Sequence, residues 1–221
     1  MISAFPTGHL GISLTGKHLL SKACPLIGIQ GGKGSFNEQA ASKHLPPLGF
    51  NQFQLSYLHT TNNVLAALYD DNRIDFGQFA IHNTLGGKVE ESVQAMARYP
   101  VDILARYAIK VSHALMIAPD ADLAEVDTVV THPQVLLQCK ATLKKKYRHL
   151  KLEVCGGDLV DPARVAERMG QARLPKNIGT ISSSSLSEIH GLKVVDSNLQ
   201  DADENYTTFL LVQRPGNNGN Q

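Results

Sequence analysis

Cysteine is scarce in this chain of 221 residues, and tryptophan is missing altogether. The three cysteines, Cys24, Cys139 and Cys155, are too few and too scattered for a disulfide framework or a cysteine zinc site. No cluster of histidine, cysteine and carboxylate residues has the spacing of metal ligands either. The sequence therefore predicts no metal site.

Long apolar runs and net charge are lacking too. No stretch approaches the roughly eighteen consecutive apolar residues of a membrane span. The N-terminus has only short apolar runs with no cationic region before them, which is unlike a signal peptide. The formal net charge is +1, so nothing points to nucleic acid or to an anionic membrane. These absences predict a cytoplasmic protein that binds neither nucleic acid nor a membrane.

What the sequence does contain is an alternation of strand-like and helix-like segments. PLIGIQ (25–30) precedes the helix-like FNEQAASKHL, and the same order returns several times before TFLLVQR near the C-terminus. This alternation predicts an α/β fold with mostly parallel sheets. A second group of strands starts after Tyr99-Pro100, which favours two lobes. A ligand would then lie in the crevice between them, at the carboxyl ends of strands.

The stretch GGKGSFNEQAA (31–41) follows a strand and opens a helix. It has neither the spacing of a nucleotide phosphate loop nor that of a dinucleotide fingerprint. Ser35 and Glu38 have the spacing of a capping box, so a helix N-cap is the simpler interpretation of Ser35. The free amide groups of this helix start could still bind a carboxylate.

Polar residues also follow two other strands. IHNTLGG (81–87) places His82, Asn83 and Thr84 at a strand end, and THPQVLLQC (131–139) places Gln134 at the start of a helix. Hydrogen bonding within the loops explains these residues as well as a ligand contact does. No serine, histidine and acid combination indicates a catalytic triad.

Two adjacent threonines, Thr207 and Thr208, precede the apolar run FLLV (209–212). Threonine is β-branched and suits a pleated surface, so both fit the start of a strand. The residues alone thus predict a two-lobed α/β protein with polar loops facing a cleft, and no particular reaction.

These junctions, taken in order, resemble the catalytic domain of prephenate dehydratase. The family's GPKGTF, PIENS, I-x-H-x-L, HPQAL-x-QC and YGL-x-V…N-x-T-R-F-L segments correspond here to GGKGSF (31–36), AIHNTLGGKVEE (80–91), VSHALMI (111–117), HPQVLLQC (132–139) and HGLKVVDSNLQDADENYTTFLLV (190–212). The resemblance covers roughly residues 25 to 213 at family-like spacing, so it is far more specific than any single motif.

The resemblance implies a two-lobed fold like that of type II periplasmic binding proteins, with the active site between the lobes. It implies a lyase of phenylalanine biosynthesis that converts prephenate to phenylpyruvate with loss of water and carbon dioxide. That chemistry needs no cofactor and no metal. The resemblance is also compatible with a homodimer, which family members often form.

Matching residue by residue, the resemblance implies Thr207, Asn83 and Gln134 as catalytic. The residues it implies for substrate binding are Thr84, His82, Ser35, Lys33, Thr208 and Phe209.

Five positions depart from the family pattern. His82 stands where a glutamate is usual, and Thr208 replaces the arginine of T-R-F, a cation able to hold a carboxylate. Pro162 stands at the threonine of the S/D-T-A loop, His190 replaces tyrosine and Gly32 replaces proline. These departures leave three alternatives open: an arogenate dehydratase, a non-aromatising prephenate decarboxylase, and an inactive binding or regulatory domain.

The predicted organisation has three parts. Residues 1–24 form an irregular extension, 25–213 the catalytic domain and 214–221 a flexible tail. The first lobe takes about 25–104 plus 191–213, and the second about 105–190. The chain ends soon after the last motif, without room for the phenylalanine-sensing ACT domain, which predicts either a stand-alone enzyme without it or a fragment.

Overall fold

A computed structural model describes residues 22–70 and 73–216. Most of the predicted N-terminal extension and the end of the predicted tail therefore lie outside the described residues. The strands are β1 (Leu26–Ile29), β2 (Gln54–Tyr57), β3 (Phe76–Asn83), β4 (Gly87–Lys88), β5 (Asp102–Lys110), β6 (Ala114–Ile117), β7 (Thr128–Thr131), β8 (Lys151–Val154), β9 (Ile178–Ser182), β10 (Lys193–Asp196) and β11 (Tyr206–Gln213). The helices are α1 (Phe36–His44), α2 (Thr61–Tyr69), α3 (Glu90–Arg98), α4 (Pro133–Gln138), α5 (Lys140–Lys146), α6 (Pro162–Gly170) and α7 (Ser185–His190).

The strands form two sheets, one in each lobe. The first has the order β2-β1-β3-β11-β5, with β4 beside β3, and the second has the order β10-β6-β9-β7-β8. The two-lobed α/β prediction is confirmed, but the sheets are mixed rather than mostly parallel. The reason lies in the path of the chain, which leaves the first lobe after β5 and returns as β11, antiparallel to both β3 and β5.

The lobes divide the chain at different residues from those predicted. Strand β5 pairs with β11 from Asp102 to Lys110, so the crossing follows Lys110 instead of residue 104. Strand β10 pairs with β6, which places residues 193–196 in the second lobe rather than the first.

Each sheet is covered by helices on both faces. In the first lobe, Phe209 packs with α1 residues such as Ala40 on one face, and Phe79 packs with Val64 and Leu68 of α2 on the other. The second lobe repeats this arrangement, with α4 and α5 on one face and α6 and α7 on the other. Burying these apolar side chains stabilises each lobe by about 1.5–3 kcal/mol per large residue. Within the described residues, no helix has the length and apolar character to cross a membrane.

Three helices begin at the cleft, each with a side-chain cap. Ser35 Oγ accepts from the Glu38 amide at 3.4 Å, so the N-cap prediction is confirmed. The Glu38 carboxylate accepts from the Gly34 amide instead of from Ser35, one residue away from a standard capping box. His132 caps α4 and Asp161 caps α6.

Candidate active site

A cavity of about 750 Å³, including its open mouth, lies between the lobes. Residues from both lobes line it: Gln30, Gly31, Ser35, Phe36, Asn37, His59, Ala80, Asn83, Val89, Thr207 and Phe209 from the first, and His113, His132, Gln134, Val135, Gln138, Asp161, Pro162, Ala163 and Ser182 from the second. Its size suits a small organic molecule. Within the described residues, no three histidine, cysteine or carboxylate side chains are grouped to hold a metal ion.

A β-bulge decides which residues of β3 reach this cavity. Thr208 pairs with His82, but Phe209 pairs with Ala80, so Ile81 is an extra residue in β3. Without the bulge, Ala80 and His82 would share a face; with it, Ala80 and Asn83 do. Asn83 therefore enters the cavity wall, and His82 lies on the other face, exposed to solvent.

The same alternation separates the two threonines of β11. Thr207 and Phe209 line the cavity, whereas Thr208 projects from the opposite face and is buried there. Thr208 and His82 are thus outside the cavity wall, contrary to their predicted roles in substrate binding. A longer side chain at position 208 would likewise start from the far face of the sheet.

The hydroxyl of Thr207 is held in one orientation by Asn83. The backbone amides of Leu85 and Gly86 donate to Asn83 Oδ1 at 2.8 and 2.7 Å, which makes that atom the acceptor end of the amide. Asn83 Nδ2 consequently faces Thr207 and donates to its Oγ1 at 3.0 Å. Because Oγ1 accepts this bond, its own proton is free to donate into the cavity.

Behind Asn83 lies a buried chain of hydrogen bonds that the sequence did not single out. Asn83 Nδ2 also donates to Asn205 Oδ1 at 2.7 Å, and Asn205 Nδ2 donates to Gln138 Oε1 at 2.9 Å. His113 Nε2 lies 2.7 Å from the same Gln138 oxygen, so it carries the proton. Burial lowers the pKa of His113, which favours the neutral ring. Asn205, Gln138 and His113 all lie within the motifs matched above. That membership was the one sequence feature that could have pointed to them.

Thr84 supports this series of hydrogen bonds from outside the cavity. Its hydroxyl donates to the Glu204 carbonyl at 3.0 Å and accepts from the Tyr206 amide at 2.9 Å. Thr84 therefore fixes the segment that carries Asn205 and does not line the cavity. Lys33 does not line the cavity either.

Gln134 lines the cavity and joins the two lobes. Its Nε2 donates to the Lys88 carbonyl at 2.5 Å, and its Oε1 has no hydrogen-bond donor among the described residues. Next to it, His132 Nε2 lies 3.7 Å from Glu91 Oε2. One side of the cleft is thus closed by the start of α4 against β4 and the start of α3.

The cavity wall contains no lysine or arginine among the described residues. The groups in this wall that could bind an anion include free backbone amides. The first N–H groups of α1, from Phe36 and Asn37, and that of Ala163 in α6 have no acceptor in the described part of the chain. Such helix starts attract carboxylates through their free N–H groups and the helix dipole.

His59 and Asp161 were missed by the sequence predictions, although both line the cavity. His59 Nδ1 lies 2.8 Å from Asp161 Oδ2 across the cleft. His59 Nε2 faces Arg164 at 3.4 Å and no serine or cysteine, so the pair does not activate a nucleophile. His59 belongs to none of the matched motifs, and Asp161 begins the segment that corresponds to the S/D-T-A loop without a predicted role, so only the folded arrangement brings them together.

The prephenate dehydratase family matches this chain over residues 27–217. The chain belongs to that family. It is 27% identical over 191 residues to arogenate dehydratase/prephenate dehydratase 6 of Arabidopsis thaliana, an alignment that covers 85% of this chain and 43% of that protein. It is 26% identical over 181 residues to prephenate dehydratase of Methanocaldococcus jannaschii, covering 81% and 61%.

The solved structures give the same fold. Prephenate dehydratase from Arthrobacter aurescens superposes with a TM-score of 0.67 at 20% identity, over 86% of this chain and 60% of that one. This likeness concerns the fold alone. The chain spans 43% and 61% of the two curated relatives, so their activities are not carried over directly.

Proposed function

We propose that this chain is a prephenate dehydratase, a carbon–oxygen lyase that converts prephenate to phenylpyruvate, water and carbon dioxide. The observation that carries the proposal is the Thr207 hydroxyl, fixed by Asn83 as a donor into a cavity between two lobes. We also propose that the reaction serves phenylalanine biosynthesis and takes place in the cytoplasm.

The reaction needs little beyond orientation. The bond from the ring to its carboxylate breaks, carbon dioxide departs, and the electron pair enters the ring as a new π bond. At the opposite ring carbon the C–O bond breaks, and the oxygen leaves with its electron pair and is protonated to water, so one proton is consumed from hydronium or buffer acid in the solvent. Aromatisation drives both cleavages, so the protein must hold two carboxylates and stabilise the leaving oxygen.

Thr207 is suited to the leaving oxygen. Its hydroxyl is far too weak an acid to give up a proton outright, but a positioned donor stabilises the charge that develops as the C–O bond breaks. The free amides of α1 and α6 would receive the two carboxylates, one on each lobe. Neither contact involves position 208, which lies on the far face of β11.

Retention of Thr207 separates this proposal from the non-aromatising decarboxylase, which has no use for a donor at the leaving hydroxyl. Arogenate differs from prephenate only in an amino group for a keto group, and the curated relatives carry both substrates in their names. Both compounds therefore belong in the assay.

The experiment is turnover of purified protein with prephenate and with arogenate, scored by the appearance of phenylpyruvate or phenylalanine. Thr207→Val keeps the β-branched shape and removes the hydroxyl, so we expect kcat to fall about 10²–10³-fold. Thr207→Ser keeps the hydroxyl and should retain most of the activity. Loss of carbon dioxide without loss of water would identify the decarboxylase, and absence of any turnover would refute the proposal.

A further inference from the structure

The loop after β2 and the start of α6 meet across the cleft at His59 and Asp161. The two side chains are 22% and 5% exposed, and 2.8 Å separates His59 Nδ1 from Asp161 Oδ2. Asp161 also caps α6 through a 2.7 Å bond from the Arg164 amide. One carboxylate thus joins the first lobe to the helix whose free Ala163 amide opens onto the cavity.

His59 is held in a backbone conformation that favours glycine. Its φ is 65°, which costs of order 1–3 kcal/mol for a side-chain-bearing residue. Its carbonyl accepts from the Gly31 amide at 2.9 Å, which ties it to the loop that starts α1. The surrounding contacts therefore fix His59 where its ring can reach the other lobe.

Gly32 allows the lobes to approach at this point. A Cβ atom on Gly32 would lie 2.8 Å from Ala163 Cβ and 3.4 Å from His59 Cε1. The alanine methyl group has no rotamer by which to move away, so any larger residue would push the lobes apart. Two departures from the family pattern, Gly32 and the segment at Pro162, thus lie on opposite sides of one contact.

Charged groups complete the contact. Arg164 lies against His59 Nε2 at 3.4 Å, and its other terminal nitrogen pairs with Glu167 Oε2 at 2.6 Å. Because the guanidinium of Arg164 can only donate, it makes His59 Nε2 the acceptor nitrogen of the ring. The N–H at Nδ1 then donates to Asp161. The bond is therefore a directed hydrogen bond to a nearly buried carboxylate.

From these contacts we infer that His59 is a positioning residue that latches the second lobe over the substrate. Its bond to Asp161 holds the N-terminus of α6, with the Ala163 amide, at the distance a bound carboxylate requires. The expected effect of this bond on substrate binding rests on the proposed function. Its effect on how the two lobes are held together does not.

The test compares two variants of His59 in the full chain. His59→Gly removes the ring and suits the positive φ, so its effect reports the lost latch and not backbone strain. His59→Asn also tolerates this conformation, and its amide can replace Nδ1 as the donor. Gly32→Ala keeps the His59 and Asp161 side chains but forces the lobes apart, so the hydrogen bond between them is lost by separation.

For His59→Gly and Gly32→Ala we expect KM for prephenate to rise about tenfold with kcat changed less than about twofold, since one hydrogen bond to a charged group is lost. His59→Asn should stay near the wild-type KM. Without substrate, backbone amide hydrogen exchange should become faster in peptides covering residues 31–35 and 161–165. We expect this for His59→Gly and Gly32→Ala but not for His59→Asn. A loss in kcat alone, or equal behaviour of His59→Gly and His59→Asn, would overturn the inference.

The two readouts separate the latch from the proposed reaction. If the wild-type chain turns over prephenate but His59→Gly leaves KM and exchange unchanged, the latch fails and the function stands. If the wild-type chain is inactive yet exchange quickens as expected, the function fails and the latch stands.

Discussion

At the scale of single residues, the orientation of one amide fixes the orientation of the Thr207 hydroxyl. In Asn83→Asp, a carboxylate oxygen would face Thr207 Oγ1 in place of the amide nitrogen that now donates to it. The threonine would then donate to that carboxylate, and its proton would turn away from the cavity. We expect kcat to fall about 10²-fold, the effect of losing a positioned donor. The free energy of unfolding should fall as well, because the new oxygen would also face the Asn205 Oδ1 acceptor, so circular dichroism is used to check that the assayed protein is folded.

Thr208→Val is the matched control for this prediction. Thr208 neighbours Thr207 in sequence but projects from the other face of β11, so its activity should remain within about twofold of the wild type. A loss comparable to that of Thr207→Val would contradict the assigned faces of the strand.

His113 should make the protein less stable in mild acid. Its pKa is lowered by burial, whereas the unfolded chain titrates near pH 6.5. Below that pH the unfolded state binds a proton that the folded state does not, so the free energy of unfolding falls as pH falls. One such group contributes at most about 1.4 kcal/mol per pH unit.

Urea unfolding between pH 7.5 and 5.5 would measure this slope, and His113→Gln should reduce it while keeping a donor to Gln138. Some slope should remain, because burial also lowers the pKa of His44 and His190. An unchanged slope in the variant would show that His113 is not the responsible group.

The motifs were sufficient to place five residues at the cavity, because their order along the chain matches a family whose loops meet at one cleft. These residues are Thr207, Asn83, Gln134, Ser35 and Phe209. The motifs were insufficient for His82, whose face depends on a bulge that adds one residue without any sequence signature. Asn205 and Gln138 were given no role from the sequence, because the role of a buried side-chain amide depends on hydrogen-bond partners that the sequence does not reveal.

At the scale of elements, two features escaped the sequence patterns. Strand β5 was not predicted, since its apolar residues are interrupted by Arg106 and it lies at the edge of its sheet, where Ile103 is exposed. The sequence PQVLLQCKATLKKKY (133–147) has the pattern of one continuous helix, but the structure has two helices that meet at Cys139. Asp201 accepts from the amides of Ala141 and Thr142 at 2.8 and 2.9 Å, a cap supplied from a distant segment.

The turn between β3 and β4 offers a test in which adjacent glycines have different effects. A Cβ on Gly86 would lie 2.3 Å from Gln134 Oε1, whereas one on Gly87 would meet nothing within 4 Å. Gly86→Ala should displace Gln134 from Lys88 and raise KM several-fold, with little change in stability.

Gly87 has a φ of 71°, so Gly87→Ala should lower the free energy of unfolding by about 1 kcal/mol and leave KM unchanged. Urea unfolding and steady-state kinetics on both variants would check the pair. The reverse assignment of effects would contradict the contact between Gly86 and Gln134.

At the scale of the whole molecule, each lobe presents a helix start with free amides to the same cavity, α1 from the first and α6 from the second. A substrate with two carboxylates can engage both, but phenylpyruvate has only one left. Because a charge at a helix start is worth up to about 2 kcal/mol, we expect phenylpyruvate to inhibit with a constant up to about 30-fold above KM for prephenate. Product-inhibition kinetics would measure this, and equal constants would argue against binding by both lobes.

Strand β11 lies between β3 and β5, although it follows every other strand of the described chain in sequence. During synthesis the edges of β3 and β5 that pair with β11 therefore stay open until the whole second lobe has left the ribosome. The segment that completes this sheet also delivers Thr207. A nascent chain can accordingly gain its full hydrophobic core and its proposed catalytic hydroxyl only in the same final step.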